Sequence, residues 1–105
     1  METLSFSYSG GTASPHVASP VIAGVVGSGN LEVLIEPAPL SGGCTVDVVT
    51  AAAGFGEIWR AVLDAFFERY APAGLRISIN DMGATPATVS LRLDQAMASF
   101  TAGAQ

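Results

Sequence analysis

Two short apolar runs separated by four turn-forming residues constrain the fold of this 105-residue chain most strongly. The runs cover residues 21–26 and 31–35 and are rich in Val and Ile, as β-strands are. Residues 27–30 read Gly-Ser-Gly-Asn, and three of these four can adopt positive φ angles at little cost. The pattern predicts a β-hairpin that presents the hydroxyl of Ser28 at its tip.

The charge balance excludes several classes of partner. The chain has nine acidic residues, four arginines and no lysine, which gives a net charge of -5. It therefore has no basic face for a phosphate backbone or an anionic membrane, so we expect neither nucleic-acid nor membrane binding. An acidic surface is compatible with docking on basic patches of larger partners.

The remaining composition indicates a small cytoplasmic protein. Cys44 is the single cysteine, so no internal disulfide can form and a reducing compartment is expected. The N-terminus lacks the pattern of a signal peptide, and no apolar run approaches the length of a membrane span. His16 is the single histidine and lies in a Gly/Ser/Pro-rich stretch, so we expect no metal site.

Alternating apolar residues predict further strands. Residues 4–8 alternate briefly and are typical of an edge strand, whereas residues 9–20 are predicted to be a flexible loop. Residues 44–50 alternate with Cys44 on the apolar face, which makes Cys44 a core residue rather than a reactive thiol. Residues 75–80 alternate strictly and predict another strand.

The clearest helix is predicted over residues 57–70, with Pro72 ending it. Its apolar face is predicted at helical spacing, widened by a second row of aromatic and aliphatic residues. The first row comprises Ile58, Val62, Ala65, Phe66 and Arg69, and the second comprises Trp59, Leu63, Phe67 and Tyr70.

A second helix is predicted from Thr85 as the N-cap and Pro86 as the first helical residue. Residues 89–93 also alternate as a strand would, but the cap and the Ala-rich continuation favour a helix. Together these elements predict an α+β fold, a small mainly antiparallel sheet with two helices packed on one face. Residues 1–20 are then a flexible N-terminal segment, residues 21–100 the domain, and residues 101–105 a frayed tail.

The chain is poorly equipped as an enzyme. Ser28 has no base near it in sequence, and its Gly-Ser-Gly setting lies between two strands, not in the strand-turn-helix context of a nucleophile elbow. Glu32 and Glu36 share a strand face, for which surface solvation is the ordinary explanation. A serine flanked by Gly27 and Gly29 suits covalent modification by another enzyme, although a plain turn would have the same residues.

Three segments resemble the acyl carrier protein (delta) subunit of malonate decarboxylase. They are residues 25–37, which contain Gly-Ser-Gly-Asn-Leu-Glu-Val, residues 79–86 and residues 89–96. The related acyl carrier (gamma) subunit of citrate lyase shares a modified serine near its first strands and an Asp-x-Gly-Ala turn. Residues 81–84, Asp-Met-Gly-Ala, match that turn. Asn30 stands where the malonate decarboxylase carrier family frequently has Asp.

The resemblance implies that Ser28 carries a phosphoribosyl-dephospho-coenzyme A group, attached by a phosphodiester and flanked by Gly27 and Gly29. Its thiol would hold acetyl and then malonyl as a thioester. The implied partners are an acyltransferase subunit, carboxylase-like decarboxylase subunits and the prosthetic-group transferase that modifies the serine. Asn30, Glu32 and Asp81 are candidates for positioning the hairpin or for recognition by that transferase, and each has a purely structural alternative.

Three other functions stay open at this point. A citrate-lyase-type carrier would use the same kind of arm for a different acyl exchange. A non-covalent adaptor would dock through the helix 57–70, and Ser28→Ala would then leave its function intact. A free-standing hydrolase using Ser28 is the least favoured because the serine lacks a nearby base.

Overall fold

The computed structural model describes residues 2–10, 21–25, 28–37, 43–51, 53–71 and 74–102. They form five strands and two helices. In chain order these are β1 Glu2–Tyr8, β2 Val21–Val25, β3 Ser28–Pro37, β4 Cys44–Thr50, α1 Gly56–Tyr70, β5 Leu75–Asp81 and α2 Pro86–Ala102.

The five strands form one sheet in the order β1-β4-β5-β3-β2. Strands β4 and β5 are parallel, and the other neighbouring pairs are antiparallel. Parallel neighbours need a long crossover connection, and α1 lies in the segment that joins β4 to β5. The hairpin β2–β3 joins the sheet through β3, which pairs with β5 from Leu31 to Pro37.

One face of the sheet is apolar and carries the core. In β4, in β5 and in residues 31–36 of β3 every second side chain is buried, and these residues pack with Trp59, Leu63 and Phe66 of α1 and with Val89 and Leu93 of α2. The other face carries mainly polar and charged side chains, with Leu34 and Val49 half-buried among them. This two-layer arrangement confirms the predicted α+β fold with a mainly antiparallel sheet and two helices on one face.

The buried side of helix α1 differs from the apolar face that the sequence predicts. Trp59, Leu63 and Phe66 are its buried residues, whereas Ile58 is 44% exposed and Ala65 is exposed. Both Ile58 and Ala65 were predicted on the central apolar face, and this prediction is wrong. Because the segment is apolar on several sides, periodicity alone cannot select which side meets the sheet and α2.

Helix α2 begins as the sequence predicts. Pro86 is its first residue, and the Thr85 hydroxyl accepts a hydrogen bond from the backbone N–H of Thr88 at 3.2 Å. The strand alternative for residues 89–93 is wrong, because this segment lies within α2. The helix continues to Ala102, beyond the predicted start of a frayed tail, and residues 103–105 lie outside the described residues.

Strand β1 is an edge of the sheet and pairs with β4 from Glu2 to Tyr8. Phe6 is buried in the core, and the Tyr8 hydroxyl donates a 2.7 Å hydrogen bond to Asp64 of α1. Burial and that carboxylate raise the pKa of Tyr8. The sheet thus begins within the first 20 residues, while the predicted loop around His16 lies outside the described residues.

Cys44 is a core residue, as the sequence predicts. It is 1% exposed at the start of β4, and desolvation raises the pKa of its thiol to about 11. Because the thiolate is the reactive form, this environment makes the side chain inert. Among the described residues, no helix has both the length and the apolarity needed to cross a membrane.

Candidate functional site

The hairpin places Ser28 at the beginning of β3. Its Cα pairs with that of Val25, the last residue of β2. The turn had been predicted over residues 27–30, and this is wrong for residues 28–30, which already belong to the strand. Pairing of Val25 with Ser28 leaves two connecting residues, a common hairpin length, and these two (Val26 and Gly27) lie outside the described residues.

The Ser28 end of the hairpin extends beyond the neighbouring strand. Asp81 is the last residue of β5 and pairs with Leu31, so residues 28–30 have no partner residue on β5. The register between β2 and β3 also shifts between Ala23 and Val25. Within the part of the chain that the structure describes, the backbone at Ser28 is paired with β2 and with no other strand, about 10 Å along the strand from the end of β5 at ~3.3 Å per residue.

Asp81 anchors the end of β5. It is 4% exposed, and its Oδ2 accepts a 2.8 Å hydrogen bond from the hydroxyl of Thr50, the last residue of β4. Its Oδ1 accepts bonds from the backbone N–H groups of Gly83 at 3.1 Å and Ala84 at 2.7 Å. The carboxylate thus fixes the turn into α2 and ties together the carboxyl ends of β4 and β5.

A cavity of about 250 Å3 opens beside this anchor. It lies between the carboxyl ends of β4 and β5 and the first turns of both helices. Its lining is mainly apolar, and Phe55 and Ile58 are 46% and 44% exposed. The lining residues are Thr50, Phe55, Ile58, Trp59, Val62, Asp81, Gly83, Ala84, Pro86 and Val89.

The candidate carboxylates Glu32 and Glu36 lie on the face of the sheet that is opposite the helices. Glu32 lies opposite Asn80 in the register and accepts a 3.3 Å hydrogen bond from its side-chain amide. Glu36 lies opposite Arg76. Glu32 and Glu36 are thus each matched by a polar neighbour on β5, and the described residues contain no group of His, Cys, Asp or Glu suited to a metal ion.

Sequence reasoning missed Thr50 and the cavity. Thr50 ends the alternation of β4, and Asp81 ends that of β5, but pairing of the two depends on the parallel contact between these strands. An Asp at the end of a predicted strand, two residues before Gly83, was the available signal, because such an Asp commonly accepts hydrogen bonds from the backbone N–H groups that follow it. The cavity needs the relative positions of both helices, which no local pattern gives.

Comparison with known proteins identifies the family. The family model described as "Malonate decarboxylase delta subunit (MdcD)", an acyl carrier protein (ACP) family, matches residues 18–100. The chain belongs to this family. It is 53% identical over 103 residues to the malonate decarboxylase acyl carrier protein of Stenotrophomonas maltophilia (strain K279a), covering 98% of this chain and 97% of that protein.

Two further relatives agree with this family. The malonate decarboxylase acyl carrier protein of Burkholderia cepacia is 59% identical over 98 residues, covering 93% of this chain and 89% of that protein. A chain from the crystal structure of a Pseudomonas malonate decarboxylase hetero-tetramer in complex with malonate superposes with a TM-score of 0.83 at 39% identity. It covers 95% of this chain and 99% of that one. Members of the family are non-catalytic acyl carrier subunits, so the resemblance stated from the sequence is confirmed.

Proposed function

We propose that this chain carries acetyl and malonyl groups as thioesters on a phosphoribosyl-dephospho-coenzyme A arm attached to Ser28. The observation that carries the proposal is the position of Ser28 on the hairpin, in a chain that belongs to a family of acyl carriers. Ser28 is the first residue of β3 and lies beyond the end of β5, where β2 is the one described strand that pairs with it. A transferase that must surround its acceptor residue therefore meets a two-stranded ribbon there, not the full sheet.

The residues around Ser28 fit such a group. A phosphodiester needs a hydroxyl on the protein, and Ser28 supplies a primary one between Gly27 and Gly29, which add no side chains of their own. The group, when bound, supplies a thiol whose thioester activates the acyl group for exchange and decarboxylation. The chain itself has to hold the attachment point and present it, and β2 and β3 hold it through backbone hydrogen bonds.

The catalytic groups would belong to partner subunits. The Pseudomonas relative was crystallised as a hetero-tetramer with malonate. We infer that this chain likewise works with an acyltransferase subunit and carboxylase-like decarboxylase subunits in the cytoplasm, and that a separate transferase installs the arm. A tether raises the effective concentration of the acyl group at each partner's site, so one carrier can serve several sites.

The adaptor alternative has less support. It needs the apolar side of α1 for a partner, but Trp59, Leu63 and Phe66 are buried in the core of the same domain. A citrate-lyase-type exchange is disfavoured because the family model and the relatives are all of the malonate decarboxylase type.

The proposal is tested by replacing Ser28 in the assembled complex. Ser28→Ala should abolish malonate-dependent CO2 release, while Ser7→Ala, which removes an exposed serine hydroxyl from β1, should leave it unchanged. Both variants should unfold with the same midpoint in urea as the wild type. A complex that retains its activity with Ser28→Ala would contradict the proposal and would favour the alternative of a non-covalent adaptor.

A further inference from the structure

The proposed attachment of an arm to Ser28 assigns no role to the cavity between β4, β5 and the two helices. It lies at the same end of the sheet as Ser28, because Asp81 lines it and pairs with Leu31 of the hairpin. Ser28 lies three positions before Leu31 in the chain, a distance of about 10 Å along an extended strand. The extended pantetheine portion of a coenzyme A-derived arm spans more than this distance.

We propose that this cavity receives the acetyl-thioester end of the carrier's own arm and excludes the malonyl-thioester end. The inference rests on the proposed attachment at Ser28. Its occupant is the neutral end of a tethered chain, and the structure supports this choice through the size of the cavity and its mainly apolar lining, in which a buried carboxylate is costly.

The size suits the end of an arm and not a whole ligand. Pockets that enclose a drug-sized molecule have volumes of roughly 300–1,000 Å3, whereas this cavity has about 250 Å3. Its lining is mainly apolar, with Trp59, Val62 and Val89 inside and Phe55 and Ile58 at the exposed rim. A methyl group and a thioester sulfur are chemically matched to such walls.

The cost of burying a carboxylate separates the two acyl groups. Asp81 lines it, and the carboxylate of this residue is held in place by Thr50, Gly83 and Ala84. A malonyl group would bring a second carboxylate beside Asp81 and would have to lose its water to enter. The N-termini of α1 and α2 both lie at the cavity, and their roughly half-unit positive charges together about balance the negative charge of Asp81. The loss of water from the malonyl carboxylate among apolar walls is therefore what separates the two acyl groups.

In this proposal the acyl group on the arm determines whether the end of the arm lies in the cavity or in solvent. The acetyl form rests in the cavity, where water has little access to the thioester. Exchange with malonate would place malonyl on the thiol and release acetate, and the charged end would then be free to reach a decarboxylating partner. When its carboxylate leaves as CO2 and the remaining carbon takes up a proton, the neutral acetyl group is restored and the end can return.

Trp59 provides a direct readout because it lines the cavity and is the single tryptophan of the chain. The unmodified protein is titrated with S-acetylpantetheine and with S-malonylpantetheine while its fluorescence is recorded. We expect a saturable change with the acetyl compound and binding weaker by a factor on the order of ten or more with the malonyl compound. No change with either compound, or equal binding of both, would overturn the proposal.

A matched pair of variants then tests the site in the arm-bearing protein. Ile58→Gln makes the rim polar, while Leu91→Gln changes a comparably exposed aliphatic residue that does not line the cavity. The acetyl and malonyl forms of the wild type should differ in Trp59 emission, and Ile58→Gln should reduce this difference and speed hydrolysis of the acetyl thioester several-fold. Leu91→Gln should do neither, and equal behaviour of the two variants would contradict the assignment.

The two proposals fail in different ways. The intact mass of the same sample reports whether Ser28 carries the arm, independently of fluorescence. An arm on Ser28 with no acyl-dependent change at Trp59 would overturn the cavity proposal and leave the carrier function standing. Saturable binding of S-acetylpantetheine by a native protein that bears no arm would overturn the attachment instead.

Discussion

Asp81 is a carboxylate held almost out of water, and its position explains much of the local order. It accepts hydrogen bonds from the Thr50 hydroxyl and from the backbone N–H groups of Gly83 and Ala84. Burying a charged group is unfavourable unless such partners compensate for the lost water. At the scale of single residues, Asp81 therefore couples the ends of two strands to the start of a helix.

Removing this carboxylate should destabilise the fold. Asp81→Ala removes the carboxylate that accepts hydrogen bonds from Thr50 and from two backbone N–H groups, and we expect the free energy of unfolding to fall by about 2–3 kcal/mol. Urea unfolding measures the change. Asp47→Ala is the matched control, because exposed Asp47 accepts one bond from Ser5 and should matter by about 0.5 kcal/mol or less. Equal losses of unfolding free energy for the two variants would show that the hydrogen bonds of Asp81 stabilise the fold no more than the single bond of Asp47.

Cys44 should be unreactive in the folded protein. Burial raises the pKa of its thiol to about 11, so at pH 8 only a fraction on the order of 0.1% is thiolate, and access is blocked as well. A thiol-labelling reagent should modify the chain only after unfolding. Rapid labelling of the native protein at pH 8 would contradict this environment.

The same thiol has a consequence for stability at high pH. The unfolded chain ionises Cys44 near its ordinary pKa, whereas the folded chain keeps it protonated to about pH 11. The unfolded state therefore binds fewer protons as the pH rises from about 9 to 11, and stability falls over that window. In urea unfolding, Cys44→Ala should show a shallower fall over this window than the wild type, and an unchanged slope would count against the effect.

At the scale of elements, the capping threonine of α2 is a clear case of local sequence deciding local structure. Thr85 and Pro86 predict the helix start, and the Thr85 hydroxyl accepts the N–H of Thr88 as an N-cap does. Helix α1 is the contrasting case. Its length follows from the sequence, but its buried side centres on Trp59 and Leu63, and Ile58 is left at the cavity rim.

Thr85→Ala should cost about 1 kcal/mol of stability, because the N–H of Thr88 loses its acceptor. Thermal or urea unfolding of the isolated chain checks this value. Thr3→Ala, an exposed threonine of the edge strand β1, is the control and should change stability by less than about 0.5 kcal/mol. A neutral Thr85→Ala would show that the cap bond is not needed to start α2.

For the whole molecule, the fold class could be predicted from periodicity, but the arrangement of strands could not. Each strand is a local pattern, whereas the order β1-β4-β5-β3-β2 depends on contacts between residues far apart in the chain. The hairpin was predicted from residues 21–35, yet the point at which β3 begins was not, because Gly29 and Asn30 favour turns and instead belong to the strand. Ser28 was identified by its chemistry, and its position beyond β5 required the register.

The net charge of -5 is also a property of the whole molecule, and it predicts how partners bind. If basic surfaces on the partner subunits attract this chain, raising the ionic strength from about 50 to 500 mM should weaken the complex by on the order of tenfold. Titration of the carrier into its partner subunits at several salt concentrations measures the effect. An affinity that does not depend on salt would contradict an electrostatic docking surface.

The intact mass of the protein purified from its native host tests the central claim most directly, with the modified peptide located by fragmentation. The account predicts a mass excess equal to one phosphoribosyl-dephospho-coenzyme A group, with or without its acyl group, on the peptide that contains Ser28, and no excess in Ser28→Ala. An unmodified Ser28 in protein taken from an active complex, or the same excess on another residue, would contradict it.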